Sequence, residues 1–297
     1  MRKFIATYWY LTLWVLLSIL GYASVFISPT IFWPAVFTSY AIPGMLIINF
    51  ILLLALPFIR KRLVIFPITA LLIGSPFIII SYSNKDDKAS KPHDLSVMSF
   101  NTKLFRKFKT YDEFSSDMIK WAVTDTSSIK CFQEYSTNDR WEVLDVTKQI
   151  SDEGYHSFTF AADLDDPEHS PGLAIFSKYD ILDSGIVWNN YGSTNAGIFI
   201  DIKYNQDIIR IYNVHLASMQ LSLYQFKNSN NYVGKLRRLI SSLKNGAQAR
   251  SNQIEKLIAH AQNSPYPYII CGDFNETPYS YNYFKMRKYF SNAFEEA

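Results

Sequence analysis

Acidic residues are absent from the first 82 positions, whose only charged side chains are Arg2, Lys3, Arg60, Lys61 and Arg62. No histidine occurs there either, so the segment has nothing to bind or relay ions and does not read as a transport pathway. Cysteine is nearly missing from the whole chain, at Cys131 and Cys271 only. Each lies in or beside an apolar run shortly before an acidic residue, Glu134 or Asp273. Two cysteines without a local histidine cluster do not make a sulfur-ligated metal site. They read as buried strand thiols packed as small apolar groups. A disulfide is permitted outside the cytoplasm, and sequence leaves open whether the two sulfurs meet. Internal repeats and low-complexity tracts are also lacking, which speaks against a repeat architecture.

What fills the first 82 positions is apolar. Three stretches, about 4–27, 31–59 and 63–82, are each long enough to cross a hydrocarbon core that needs roughly 20 residues. A cleaved signal peptide would have one apolar core of roughly 7–15 residues. Pro34, Pro43, Pro57, Pro67 and Pro76 predict kinks or ragged ends. Arg2 and Lys3 flank the first span, and Arg60-Lys61-Arg62 separates the second from the third. The positive-inside rule then puts the N-terminus and the Arg60–Arg62 loop in the cytoplasm, and everything after Tyr82 on the far side. Lys85, Lys88 and Lys91 pull weakly the other way, with Asp86 and Asp87 among them. The expectation is an integral protein of the cytoplasmic (inner) membrane with an extracytoplasmic soluble part.

The net charge of +3 comes from 29 Lys+Arg against 26 Asp+Glu. Setting aside the five basic residues of the apolar region leaves 24 against 26, a net −2 for residues 83–297. That part lacks the broad positive field of a general nucleic-acid binder, although charge alone does not exclude a nuclease. Residues 83–93 read as a polar tether. Beyond it, six short strands are expected at 94–101, 128–134, 172–177, 196–202, 208–216 and 266–271. Helical patterns fall at 111–123, 235–243 and 248–261. Short strands with interspersed helices predict a layered α/β domain.

Four of those strands end on polar residues: Asn101, Gln133-Glu134, Asn213-Val214-His215 and Asp273-Phe274-Asn275. Asp273 and Asn275, two apart, leave an extended backbone on the same face, and Pro278 and Ser280 predict a turn into a helix. Carboxylates, carboxamides and one imidazole suit a hard divalent cation on oxygen ligands, with His and Asn as donors to an anionic substrate. Mg²⁺ needs only one or two protein carboxylates, so Glu134 can suffice as its direct anchor.

Ser99-Phe-Asn101, Phe132-Gln-Glu134, Gly172-Leu-Ala-Ile-Phe-Ser-Lys178, Tyr212-Asn-Val-His-Leu216 and Gly272-Asp-Phe-Asn275 occur in this order. The set resembles the endonuclease/exonuclease/phosphatase family over about 94–297. The resemblance implies a four-layered sandwich of two packed β-sheets flanked by helices, and hydrolysis of a phosphoester with Mg²⁺ or Mn²⁺. By position it implies Glu134 as the metal-binding carboxylate with Asn101 beside it in the metal site. Asp273 would orient and deprotonate the attacking water, and Asn275 would position that water or a phosphate oxygen. His215 would donate to the phosphate in the transition state. Asn213 would support strand geometry. Against the family pattern, Asn195 to Gly197 lacks the basic residue that some nuclease members carry. The chain also stops where a last strand ending in Ser-Asp-His is expected, about 50 residues short of the usual domain size.

Three further features have plainer readings. His169 reads as a loop histidine, and Asp163, Asp165, Asp166 and Glu168 as a solvated loop without calcium-site spacing. Residues 227–250 hold six basic and no acidic residues, with Val233, Leu236, Leu239, Ile240 and Leu243 at helical spacing. Such a helix either packs its apolar side on the domain, the reading adopted, or lies on an anionic membrane surface. The expectation is therefore a membrane-anchored, metal-dependent phosphodiesterase or phosphomonoesterase with no obligate protein partner. Its phosphoester would be lipid-linked, small or nucleic. The alternatives are an extracytoplasmic nuclease and a non-catalytic binding module of the same fold.

Overall fold

The computed structural model describes residues 7–82, 95–107, 113–163, 165, 170–190, 192–218 and 232–296. The tether at 83–93, His169, Asp166, Glu168, Arg2, Lys3, Lys227 and the first residues of the helix expected at 111–123 lie outside them. The chain forms two compact units. One comprises Met1–Ala89, Met219–Ser251 and Glu276–Ala297; the other comprises Ser90–Ser218 and Asn252–Asn275.

In the first unit the three apolar stretches form helices α1 (Trp9–Ala23), α2 (Ala35–Ile59) and α3 (Ile65–Ile79). With short 3-10 turns at Ser24–Phe26 and Lys61–Val64, all three are long and apolar enough to cross a membrane. Pro34 immediately precedes α2, while Pro43 and Pro57 lie within it and Pro76 lies within α3. Polar side chains inside the bundle pair with one another. Trp14 Nε1 donates to Asn49 Oδ1 at 3.1 Å, and Asn49 Nδ2 donates to Ser18 Oγ at 3.2 Å and the Met45 carbonyl at 2.8 Å. These bonds tie α1 to α2.

Two ends of this bundle are distinct. At one, Arg60 Nη1 donates to Tyr8 Oη at 2.8 Å, beside Lys61 and Arg62. At the other, Tyr22, Val25, Ile42, Phe77 and Ile80 form a core that Tyr279, Tyr283 and Phe284 complete. These aromatics belong to α7 (Tyr281–Met286) and its lead-in, with Ser280 Oγ accepting the Tyr283 N–H as the predicted turn requires. Tyr279 Oη and Ser81 Oγ lie 2.6 Å apart. A last short helix, α8, covers Ala293–Glu296.

The second unit is built on two four-stranded sheets. The strands are β1 (Val97–Asn101), β2 (Ile129–Tyr135), β3 (His156–Ala161), β4 (Gly172–Ser177), β5 (Ile181–Trp188), β6 (Gly197–Tyr204), β7 (Asp207–His215) and β8 (Tyr268–Asp273). Their orders are β1-β2-β4-β3 and β5-β6-β7-β8. In each sheet one pair is parallel, β1 with β2 and β7 with β8. Helices α4 (Ser116–Thr124) and α5 (Val146–Asp152) cover the outer face of the first sheet, where Ile119, Ala122, Val146 and Ile150 meet Phe132, Ala174 and Phe176. A long helix, α6 (Tyr232–Gln262), is divided between the units. Its last part covers the second sheet, where His260 Nδ1 and Tyr212 Oη lie 2.8 Å apart. The result is the four-layered sandwich, preceded by three apolar helices.

Between the sheets lie Ile129, Cys131, Leu173 and Ile175 from one and Ile198, Ile200, Ile202 and Ile211 from the other, all fully buried. Each such aliphatic side chain stabilises the fold by roughly 1.5–3 kcal/mol. Cys131 and Cys271 share this layer as free thiols. Burial, and secondarily the neighbouring Cys271 thiol, pushes the Cys131 thiol well up.

Candidate active site

Strand alternation decides which side chains reach the site. Residues two apart share a face, and Ile129, Cys131, Ile211, Val97, Ile269 and Cys271 line the layer between the sheets. Continuing each series to its carboxyl end gives Gln133, Asn213 and His215, Ser99 and Asn101, and Asp273. Since β1 runs with β2 and β7 with β8, paired as Asn101 with Gln133 and His215 with Asp273, the polar ends are delivered together.

Glu134 is out of step with this alternation. A bulge interrupts the β2–β4 register between Gln133 and Tyr135, and Glu134 sits in it with φ 47°. A left-handed non-glycine residue costs on the order of 1–3 kcal/mol, and bulges commonly re-aim side chains beside functional sites. Here the bulge turns Glu134 toward Asn101 and His215 and sends Tyr135 back to the helix-covered face. The Glu134 side chain is 32% exposed, which leaves it open to solvent. Asn275 is also left-handed, at φ 49°.

Asn101 is the centre of the cluster. Its Nδ2 donates to Glu134 Oε1 and to Asp273 Oδ2, each at 3.0 Å, while its Oδ1 accepts the Lys103 N–H at 3.0 Å. The reversed amide would set its oxygen against two carboxylates and deprive Lys103 of an acceptor. Asn101 thus presents nitrogen to the carboxylates and lies beside Glu134. Asp273 Oδ1 accepts the Asn275 N–H at 2.9 Å, and Asn275 Nδ2 donates to the Leu216 carbonyl at 2.9 Å.

His215 is 2% exposed. Its Nδ1–H donates to the Thr194 carbonyl at 3.1 Å, so Nε2 accepts in the neutral ring and donates only in the imidazolium. Nε2 lies 3.7 Å from Glu134 Oε1 and is buried, with no hydrogen-bond partner among the described residues. All five residues expected at the site are therefore joined: Asn101, Glu134, His215 and Asp273 directly, and Asn275 through Asp273.

Two carboxylates and an unsatisfied imidazole nitrogen around one carboxamide fit a hard divalent cation with an anionic ligand. Among the described residues no group of three or more His, Cys, Asp or Glu side chains is close enough to enclose a metal. Mg²⁺ does not require one, because it keeps several waters and takes one or two carboxylates.

Gln133 carries a role that the sequence left unassigned. Its Nε2 donates to Asn213 Oδ1 at 2.7 Å and to Ser99 Oγ at 3.2 Å. Asn213 Nδ2 in turn donates to the Phe132 and Ala174 carbonyls at 2.8 and 3.0 Å. These buried amides link the two sheets directly behind Glu134 and His215. An available signal was the polar character of Gln133 and Asn213 at inward strand positions.

Two mixed sheets packed face to face, with a polar site at one end of both, make this unit a layered α/β sandwich. The sequence profile of the Endonuclease/Exonuclease/phosphatase family matches residues 128–294, more than half of the chain, and the protein belongs to that family. A second profile, a domain of unknown function, matches residues 2–81. Similar solved structures include SmcL, 14% identical, covering 68% of this chain and 72% of that one at a TM-score of 0.46. Sphingomyelinase C from Streptomyces griseocarneus is 16% identical, covering 65% and 68% at 0.45. A beta toxin from Staphylococcus aureus with bound magnesium ions is 15% identical, covering 66% and 69% at 0.44. No curated protein sequence matches the chain.

Proposed function

We propose that the protein is a membrane-anchored, divalent-metal-dependent phosphoesterase that cleaves a phosphodiester or phosphomonoester with a water oriented by Asp273. The observation that carries this reading is the convergence of Asn101, Glu134, His215 and Asp273 from four strands of two sheets. Glu134 would hold Mg²⁺ or Mn²⁺, with Asn101 beside it. Bound there, the cation supplies charge neutralisation for the phosphate and for the negative charge that builds up on it.

The side chains supply the rest. Asp273 is held at both oxygens, by Asn101 and by the Asn275 N–H, so its remaining lone pairs have a fixed direction in which to orient and deprotonate water. Asn275, tied to Leu216, positions that water or a phosphate oxygen. His215, oriented by Thr194, donates from Nε2 as imidazolium to a phosphate oxygen. Asn101 keeps the two carboxylates at a fixed separation.

Membrane anchoring rests on the three apolar helices. Their basic turn, Arg60–Arg62, lies at the bundle end opposite Tyr279 and Phe284. With the basic end in the cytoplasm, the segment following Asp273 lies outside it. A small or lipid-linked phosphoester fits the net −2 of residues 83–297 better than long nucleic acid.

The test is hydrolysis of bis(p-nitrophenyl) phosphate and p-nitrophenyl phosphate by the purified full chain in detergent, with and without Mg²⁺ or Mn²⁺. Metal-dependent release of p-nitrophenol that Asp273→Ala removes is the expected result. Equal release by Asp273→Ala overturns the assignment.

A further inference from the structure

The first half of α6 has no counterpart in the mechanism. Between Tyr232 and Ser251 it carries Lys235, Arg237, Arg238, Lys244 and Arg250 and no acidic residue. At 3.6 residues per turn, Tyr232, Val233, Leu236, Leu239, Ile240 and Leu243 fall on one face. Lys235 and Arg238 flank that face on one side, and Arg237 and Lys244 on the other. The reading that this face packs on the domain is not met in the first turns. Tyr232, Val233 and Leu236 are 83%, 70% and 57% exposed. Among the described residues none of Lys235, Arg237, Arg238 and Lys244 has an acidic partner.

The second observation is where this stretch is attached. Gln248 Nε2 donates to the Pro29 carbonyl at 3.2 Å, in the link between α1 and α2. Lys244 Nζ lies 5.8 Å from the Trp33 ring centroid in the same link. Arg250 Nε donates to Glu276 Oε1 at 2.8 Å, and its Nη2 lies 3.4 Å from Tyr40 Oη near the start of α2. The same link exposes Ile31 and Phe32, at 84% and 54%. The helix therefore leaves the bundle from its non-basic end with an apolar stripe between two rows of cations.

We infer that residues 232–244 of α6 form an anionic-lipid contact, laying Tyr232, Val233 and Leu236 into the interfacial layer while Lys235, Arg237, Arg238 and Lys244 pair with phospholipid headgroups. The occupant is set by charge complementarity and by continuity with the helices that enter the bilayer. An apolar face bordered by Lys and Arg is the composition of helices that lie in the interface plane. Each cation near an anionic leaflet strengthens surface partition about fivefold, and long basic side chains extend to the headgroups while their stems cover apolar surface. The inference rests on the membrane reading proposed above.

The experiment uses the full chain reconstituted in nanodiscs, with a bimane fluorophore at Val233→Cys or, separately, at Leu54→Cys, exposed in the last third of α2. Unsubstituted protein gives the background from Cys131 and Cys271. Nitroxide phospholipids report depth, and discs contain either phosphatidylcholine alone or phosphatidylcholine with phosphatidylglycerol. The expected result is quenching at position 54 in both discs and at position 233 only with phosphatidylglycerol. The signal at 233 is lost in Lys235→Glu/Arg237→Glu/Arg238→Glu and in about 1 M salt, where screening acts over about 3 Å. Quenching at 54 with none at 233 overturns this inference and leaves the membrane reading standing. Equal quenching at 233 in both discs overturns the anionic partner. No quenching at 54 overturns the membrane reading itself.

Discussion

Asn101 Nδ2 donates to Asp273 Oδ2 at 3.0 Å across 172 positions of sequence, joining the end of an edge strand in one sheet to the end of an edge strand in the other. The same nitrogen holds Glu134, so one amide sets the separation of both carboxylates. Asn101→Ala removes two bonds to charged groups. Loss of that positioning is expected to lower kcat by about 100-fold, and the two lost bonds, at roughly 1.5–3 kcal/mol each, to lower the thermal midpoint. Steady-state kinetics beside a melting curve separate the two effects.

Asp273→Ala is expected to lower turnover by about 10²- to 10⁴-fold, the range for loss of a positioned base, and to leave metal affinity nearly intact. Glu134→Gln is expected to do the reverse first, raising the Mg²⁺ concentration for half-maximal activity. Isothermal titration with Mg²⁺ distinguishes them, and unchanged metal binding in Glu134→Gln removes Glu134 from the metal site.

His215→Gln retains bulk but cannot donate as a cation. Loss of one fixed donor to developing negative charge costs about 10²–10³ in kcat. A KM within a few-fold of the original is expected, because the bond strengthens in the transition state. A large rise in KM with kcat unchanged would place His215 in ground-state binding instead.

Gly272 precedes Asp273 with φ 143°, and a Cβ there would lie 1.9 Å from the Val214 carbonyl oxygen. Gly272→Ala must move β8 away from β7. A loss on the order of 3 kcal/mol or more is expected, read as a lower denaturation midpoint in the same detergent. A variant as stable as the parent contradicts this strand pairing.

Lys130 is fully buried, its Nζ donating to the Ala122 and Val123 carbonyls at 2.8 and 2.9 Å and lying 4.4 Å from the Tyr155 ring centroid. Burial lowers it from the usual 10.5 to about 8. Between those values the unfolded chain binds more protons than the folded one, so this lysine makes stability rise with pH. Tyr155, pushed by burial from 10.0 to about 12, acts oppositely above pH 10. The midpoint of the parent relative to Lys130→Met is expected to climb between about pH 8 and 10. A constant difference would mean that the lysine keeps its ordinary titration.

The strands that the sequence revealed are those with a buried or polar-ended signature. Cys131-Phe132 and Ile198 to Ile202 read as apolar runs because both faces of their strands are covered. His156–Ala161 and Ile181–Trp188 carry no such run because they are edge strands, with His156, Ser157, Leu182 and Asp183 open to solvent. Two expected helices, 235–243 and 248–261, are one continuous helix; the intervening Lys244 to Ala247 breaks the apolar stripe without breaking the backbone.

Within the site, local sequence is enough to tell which strand ends carry carboxylate, carboxamide and imidazole, because alternation and strand termination are local properties. The charge-free apolar spans were equally legible, since length and composition suffice. Tertiary structure alone decided that Asn101 faces the carboxylates with nitrogen, that a left-handed bulge re-aims Glu134, and that Gln133 and Asn213 tie the sheets together. It also decided that Tyr279, Tyr283 and Phe284 complete the core of the apolar bundle. These depend on contacts between residues far apart in the chain, whose geometry is set by the stacking of two sheets and the packing of three helices and leaves no period in the sequence.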